Sequence, residues 1–175
     1  MKKQIFGAIL LYLVSANLCA ETKIAILDFE LNDVTLAPRI PAEIQRTAAI
    51  KNLLETELKK ANYHIIPISL KDQYAANAGF GYLFQHNDIA AALAKKAGAD
   101  YVLVGRLHKP SFLFAYLIGH LIKADNAVQL GNYIVETKGG DKKLTLKAVE
   151  TLAGELDNDL DKKYTPPPPI KTPQP

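Results

Sequence analysis

The chain has 175 residues, 49% of them hydrophobic, with 21 Lys or Arg against 18 Asp or Glu and a single cysteine. A charge of +3 over that length leaves no clustered basic footprint for nucleic acid, and one cysteine excludes a disulfide framework. Stability must come from a packed core, which about 140 residues can supply.

Lys2 and Lys3 precede an apolar run over residues 5–14, and Ser15, Ala16 and Ala20 supply small residues before Glu21. That order reads as a secretory signal peptide over residues 1–20, so the expected location is periplasmic or secreted. The run is about half of what a helix needs to cross a bilayer core of about 30 Å, and no stable membrane span is expected in the mature chain. Cleavage is expected after Ala20, with the site after Ala16 as the alternative. Leu18 stands where a lipoprotein needs a small residue before its cysteine, which argues against a lipid-modified form through Cys19. Removal of Lys2 and Lys3 lowers the charge to +1.

One domain is expected over residues 21–160. Residues 23–30 are β-rich and apolar on both faces through Ile24, Ile26, Ala25 and Leu27, the pattern of a strand covered on both sides. Residues 31–40 have no sustained period and read as a loop. Pro41 then opens a helix whose Ile44, Thr47, Ile50, Leu53, Leu54, Leu58 and Ala61 fall on one face, with Glu55 and Lys59 spaced for an ion pair.

Residues 63–70 read as a second strand, which Pro67 places at a sheet edge or a strand end. A short helix is expected near residues 71–77, ended by Gly79 and Gly81. Asn87 is expected to cap a helix over residues 88–97, with lysines near its end and Gly98 as terminator. A strand over residues 101–108 follows, and a parallel pairing with the earlier strands is implied by the alternation.

Residues 112–122 and 128–137 form a hairpin with turn chemistry at Asp125 and Asn126. Gly139, Gly140 and Asp141 break it, and a last helix sets Leu146, Val149, Leu152, Ala153, Leu156 and Leu160 on one face. The expected fold is α/β with a mixed sheet, in the order β-α-β-α-β-β-β-α. Residues 161–175 hold six of the ten prolines and read as a disordered Pro-rich tail, either spacer or docking peptide.

Asp28, Glu30 and Asp33 gather at the carboxyl end of the first strand, where open α/β sheets place ligand sites, and Asp28 and Glu30 are expected to share a strand face. Arg106 shares a face with His108, and Lys109 follows, a candidate cationic patch for a carboxylate or for the acidic rim of a partner. The histidines at 64, 86, 108 and 120 lack the helical spacing that sets two imidazoles on one zinc, so no metal site is expected. Neither a nucleophile elbow nor a phosphate-binding loop is present, and no cofactor is expected.

Three segments carry a resemblance: residues 24–30 (Ile-Ala-Ile-Leu-Asp-Phe-Glu), residues 94–105 (Ala-Lys-Lys-Ala-Gly-Ala-Asp-Tyr-Val-Leu-Val-Gly) and the hairpin after Lys109, Pro110 and Ser111. They resemble small exported bacterial proteins of the DUF2380 and DUF3280 group, and more distantly the TolB amino-terminal domain, CsgG and LpoB. The resemblance implies a TolB-like layering of helices on a mixed sheet and an envelope assembly or interaction role without catalysis. Some relatives in that group carry a cysteine pair before the middle helix. Residues 83–88 read Leu-Phe-Gln-His-Asn-Asp here, so a role tied to that pair is absent.

The expectation is therefore a non-catalytic accessory domain that binds an envelope protein partner. The alternative is a small-ligand or solute-binding protein with its site at the strand ends among Asp28, Glu30, Arg106 and His108. A hydrolase using the acidic cluster stands third.

Overall fold

The computed structural model describes residues 21–138 and 142–168. The expected signal peptide, the break at residues 139–141 and the end of the tail from residue 169 lie outside the described residues. The described chain folds into a mixed sheet with helices on both faces, as the alternation of elements implies.

The first strand, β1 (Lys23–Ile26), lies between the two-residue β3 (His64–Ile65) and β4 (Tyr101–Lys109), parallel to both. Its two apolar faces are indeed covered on both sides. Ile24 and Ile26 pack with Ile50, Leu54 and Leu58 of α1 (Pro41–Lys60) and with Val149 and Leu152 of α5 (Lys142–Asp159). Ala25 and Leu27 pack on the other side with Ala90, Ala91 and Ala94 of α4 (Asn87–Ala97).

Past Ile26 the chain leaves the ladder and returns as β2 (Glu30–Asp33), which pairs with the upper half of the same β4. Ile26 faces Leu103 and Glu30 faces Arg106, so one residue more lies on this side than on the partner, a bulge that reverses which side chains face which layer. Residues 23–30 are therefore an interrupted strand, and part of the expected loop, residues 31–33, is strand. The expectation that Asp28 and Glu30 share a face is corrected by that bulge.

The strand expected over residues 63–70 shrinks to two residues, because β1 offers a short partner and the chain turns away before Pro67. It does occupy the sheet edge. Between it and α4 lie α2 (Leu70–Ala76), capped by Ser69, and α3 (Tyr82–Gln85). His86, not Asn87, is the N-cap of α4, and its side chain makes no capping bond. Gly98 ends α4 with φ +85°, as its composition implies.

The antiparallel part follows as β5 (Phe114–Lys123) and β6 (Gln129–Lys138), with β6 at the far edge of the sheet. Phe112 and Leu113, expected in the strand, are instead in the exposed turn before it. No described helix is long and apolar enough to cross a membrane.

Beyond Leu160 the chain is first fastened to the domain. The Lys163 amide donates to Asp157 Oδ1 at 2.6 Å, the Tyr164 hydroxyl reaches Glu57 at 3.2 Å, and Asp161 accepts from Thr22 at 2.6 Å. Thr22 and residues 161–164 thus meet at the pole where β1 begins.

Candidate functional site

Past the carboxyl end of β1 the bulge leads into β2, beside the first half of α1 and next to α2. A cleft of about 580 Å³ opens there between α1 and α2, with Asp28, Glu30 and Lys51 in its lining. A narrower recess of about 140 Å³ lies beside it, reaching Gln73, Leu83 and Val104. Ile44, expected in the core, stands on the cleft wall instead and is exposed. Leu70, Tyr74 and Phe80 complete an apolar border, with Tyr74 75% and Phe80 62% exposed.

Within the cleft, Lys51 Nζ lies 2.9 Å from Asp28 Oδ1, and the Asp28 amide donates to Gln73 Oε1 at 2.9 Å. The pair cancels its own charge. Gln73 is buried and passes its Nε2 hydrogen to the Ile68 carbonyl at 3.2 Å, which fixes α2 against the bulge.

Glu30 points elsewhere. Both of its oxygens lie within 3.0 Å of the Gly81 amide, and Arg106 Nη2 stands 3.6 Å away. Gly81 adopts φ +77°, and a Cβ there would press on Arg106 Nη2 at 3.2 Å, so glycine suits both the turn and the close approach.

The Arg106 guanidinium stacks on the Phe84 ring at 3.8 Å, and Phe84 in turn lies 3.9 Å from the His120 ring. Arg106 Nε and Nη2 are buried without a hydrogen-bond partner. Burial lowers the Arg106 pKa, opposed by Glu30, and burial lowers that of His120, with Arg106 adding to the effect. Nothing in the local sequence announces this stack, because residue 84 lies far along the chain from residues 106 and 120.

His108 takes a different partner: its Nδ1 lies 3.1 Å from Asn32 Nδ2, the neighbour that β2 places beside it. Arg106 and His108 do share a strand face, but Lys109 falls on the other one. There it is buried, 3.0 Å from Glu43 and 4.0 Å from Asp33. Glu43 also receives Arg46 Nη1 at 3.3 Å, and Arg46 bonds Thr145 and Thr137. The strand parity held a signal for this network, because residue 109 follows Leu103 and Leu107 on the core side.

Of the four candidate residues, then, Asp28 and Glu30 line the cleft, Arg106 lies behind Glu30, and His108 sits one step further along β4. Among the described residues, no three His, Cys, Asp or Glu side chains gather as a metal set.

A family model described as "Protein of unknown function (DUF2380)", DUF3280, matches residues 22–156. The chain belongs to that family. A search of curated proteins gives no match. Among solved structures, the DUF3280 chain is similar to lipoprotein GNA1162 from Neisseria meningitidis, with TM-score 0.52 and 14% identity over 79% of this chain and 99% of that one. It is also similar to TolB from Acinetobacter baumannii, with TM-score 0.53 and 17% identity over 83% of this chain and 29% of TolB. A PelC dodecamer from Paraburkholderia phytofirmans gives TM-score 0.50 and 14% identity over 83% of this chain and 89% of that one. At these identities the likeness is one of fold, and it agrees with the distant TolB resemblance of the sequence. No catalytic family is indicated.

Proposed function

We propose that this DUF3280 protein is a non-catalytic interaction domain of the bacterial envelope, exported through residues 1–20, that seats a protein partner in the strand-end cleft. The observation that carries this reading is the apolar border of Ile44, Leu70, Tyr74 and Phe80 around a concave surface at the carboxyl end of β1. Exposed apolar surface gathered around a concavity is what partner docking uses, with aromatic side chains as anchors. The neutral Asp28–Lys51 pair on the floor gives a partner both a donor and an acceptor.

Affinity purification from crosslinked envelope tests the reading, comparing the wild-type chain with a Tyr74→Ala, Phe80→Ala variant. A partner retained by the wild type and lost by the variant supports it. Equal recovery with both places the partner elsewhere.

The recess beside Leu83 and Val104 favours a second reading, a small apolar ligand held near Asp28 and Glu30. That reading requires a thermal shift with small-molecule libraries that Leu83→Trp, filling the recess, abolishes. For hydrolysis the geometry is poor, because Asp28 is engaged by Lys51 and Glu30 by Gly81.

A further inference from the structure

Beside the cleft, the same pole carries two loops of unusual composition. Residues 34–40 read Val-Thr-Leu-Ala-Pro-Arg-Ile and residues 110–113 read Pro-Ser-Phe-Leu. Loops normally present polar residues to water. Here Leu36 is 97% exposed and Leu113 69%, with Val34 and Phe112 also exposed.

Both loops are held in place by polar side chains. Asp33 Oδ1 accepts from the amide and hydroxyl of Thr35 at 3.1 and 2.7 Å, and Oδ2 accepts from the Arg39 amide at 3.1 Å. These bonds support Arg39 in a left-handed conformation, φ +59°. Ser111 Oγ accepts from the amides of Leu113 and Phe114 at 3.3 and 3.2 Å. The Val34 amide donates to the Lys109 carbonyl at 3.1 Å, which ties the two loops side by side. Leu36 and Leu113 therefore stand in water on built turns.

We infer that these two loops insert their apolar tips into the surface of an anionic lipid bilayer. Leu36, Phe112 and Leu113 protrude from two adjacent loop tips rather than border a concavity, and protruding apolar tips suit the boundary between headgroups and acyl chains. The charge around them is complementary to such a surface. Arg39 is exposed in the first loop, Lys138 is the cross-strand partner of Phe114, and Lys142 opens α5 at the same pole. Basic side chains flanking an apolar tip pair with anionic headgroups while the tip enters the interface. Thr22 and Asp161 lie together at the other pole, a helix of 18 residues away.

Vesicle flotation tests this with the protein purified from the cells that express it, using vesicles of phosphatidylglycerol and phosphatidylethanolamine, and vesicles of phosphatidylcholine alone. The wild type is expected to float with the anionic vesicles. A Leu36→Ser, Phe112→Ser, Leu113→Ser variant and a Lys138→Glu, Lys142→Glu variant are each expected to lower the bound fraction about tenfold. The cleft variant Tyr74→Ala, Phe80→Ala is expected to bind vesicles like the wild type, so a failed cleft reading leaves this one standing. The chain has no tryptophan, so Phe112→Trp gives a single reporter whose emission shifts to the blue on anionic vesicles. No flotation, flotation unchanged in the triple variant, loss of flotation in the cleft variant, or a blue shift with envelope proteins but not with vesicles overturns the inference.

Discussion

The ring of Phe29 occupies the space that a side chain at position 105 would fill. A Cβ added to Gly105 would overlap that ring. The contact lies where the bulge between β1 and β2 crosses β4, so the absence of one side chain permits the chain to leave the ladder and return with its faces exchanged. Through that exchange Glu30 meets Arg106 while Asp28 turns to the cleft.

Gly105→Ala is accordingly expected to destabilise the fold by about 1–3 kcal/mol, the range for an overpacked site. Urea denaturation measures it. A midpoint equal to wild type would show that Phe29 moves aside without cost and that the bulge does not depend on this packing.

The sequence displays much of this architecture and hides the bulge, for a physical reason. Both faces of residues 24–27 are apolar because two helical layers cover them, and that is visible locally. Gly98 ends α4, and Glu55 lies 3.7 Å from Lys59, because capping and helical pairing are short-range effects. The Phe29–Gly105 packing joins residues 76 apart, and no local pattern announces it. The same holds at the site. Asp28 and Glu30, placed by the sequence at the end of the first strand, do line the cleft, whereas the division of Arg106, His108 and Lys109 among Glu30, Asn32 and Glu43 depends on register between distant strands.

Glu43 lies buried between two cations, Arg46 and Lys109. Glu43→Ala removes the buried carboxylate that Arg46 and Lys109 share and is expected to cost about 3–5 kcal/mol, the range for breaking a buried pair by removing one partner. Lys109→Met leaves Glu43 with Arg46 and places apolar volume where the lysine stem lies, so its cost is expected to be smaller. Chemical denaturation of the two variants gives the comparison. A Lys109→Met variant less stable than Glu43→Ala would mean that Glu43 does not organise the cluster.

Three tyrosines tie the far pole together: Tyr63 to Asp157, Tyr133 to Asp159 and Tyr164 to Glu57. Burial first, and then the neighbouring carboxylates, push all three well above the ordinary tyrosine value of 10.0. Folding therefore favours the protonated hydroxyls. Their contribution is complete below pH 10 and is lost as the pH rises above it toward the folded-state values. Absorbance titration is expected to show these three ionising only as the protein unfolds, so that Tyr63→Phe shallows the alkaline loss of stability. Ionisation of all the described tyrosines near pH 10 with the fold intact would contradict the buried bonds.

The chain beyond α5 gives a related expectation. Ending the protein at Leu160 removes the Lys163 amide from buried Asp157 and the Tyr164 hydroxyl from buried Glu57, and is expected to cost about 2–4 kcal/mol. Ending it at Thr165 keeps both bonds and is expected to leave the denaturation midpoint unchanged. Equal stability of the two truncations would show that residues 161–164 contribute nothing to the domain.

The most direct measurement of the proposed interaction role is site-specific photocrosslinking in living cells, with a photoreactive side chain at position 74 or 80 on the cleft border or at position 151 on the exposed face of α5. The account predicts a discrete adduct with the same envelope protein from positions 74 and 80, and none from 151. Adducts only from position 151, or no adduct from either cleft position while the protein remains folded, would contradict it.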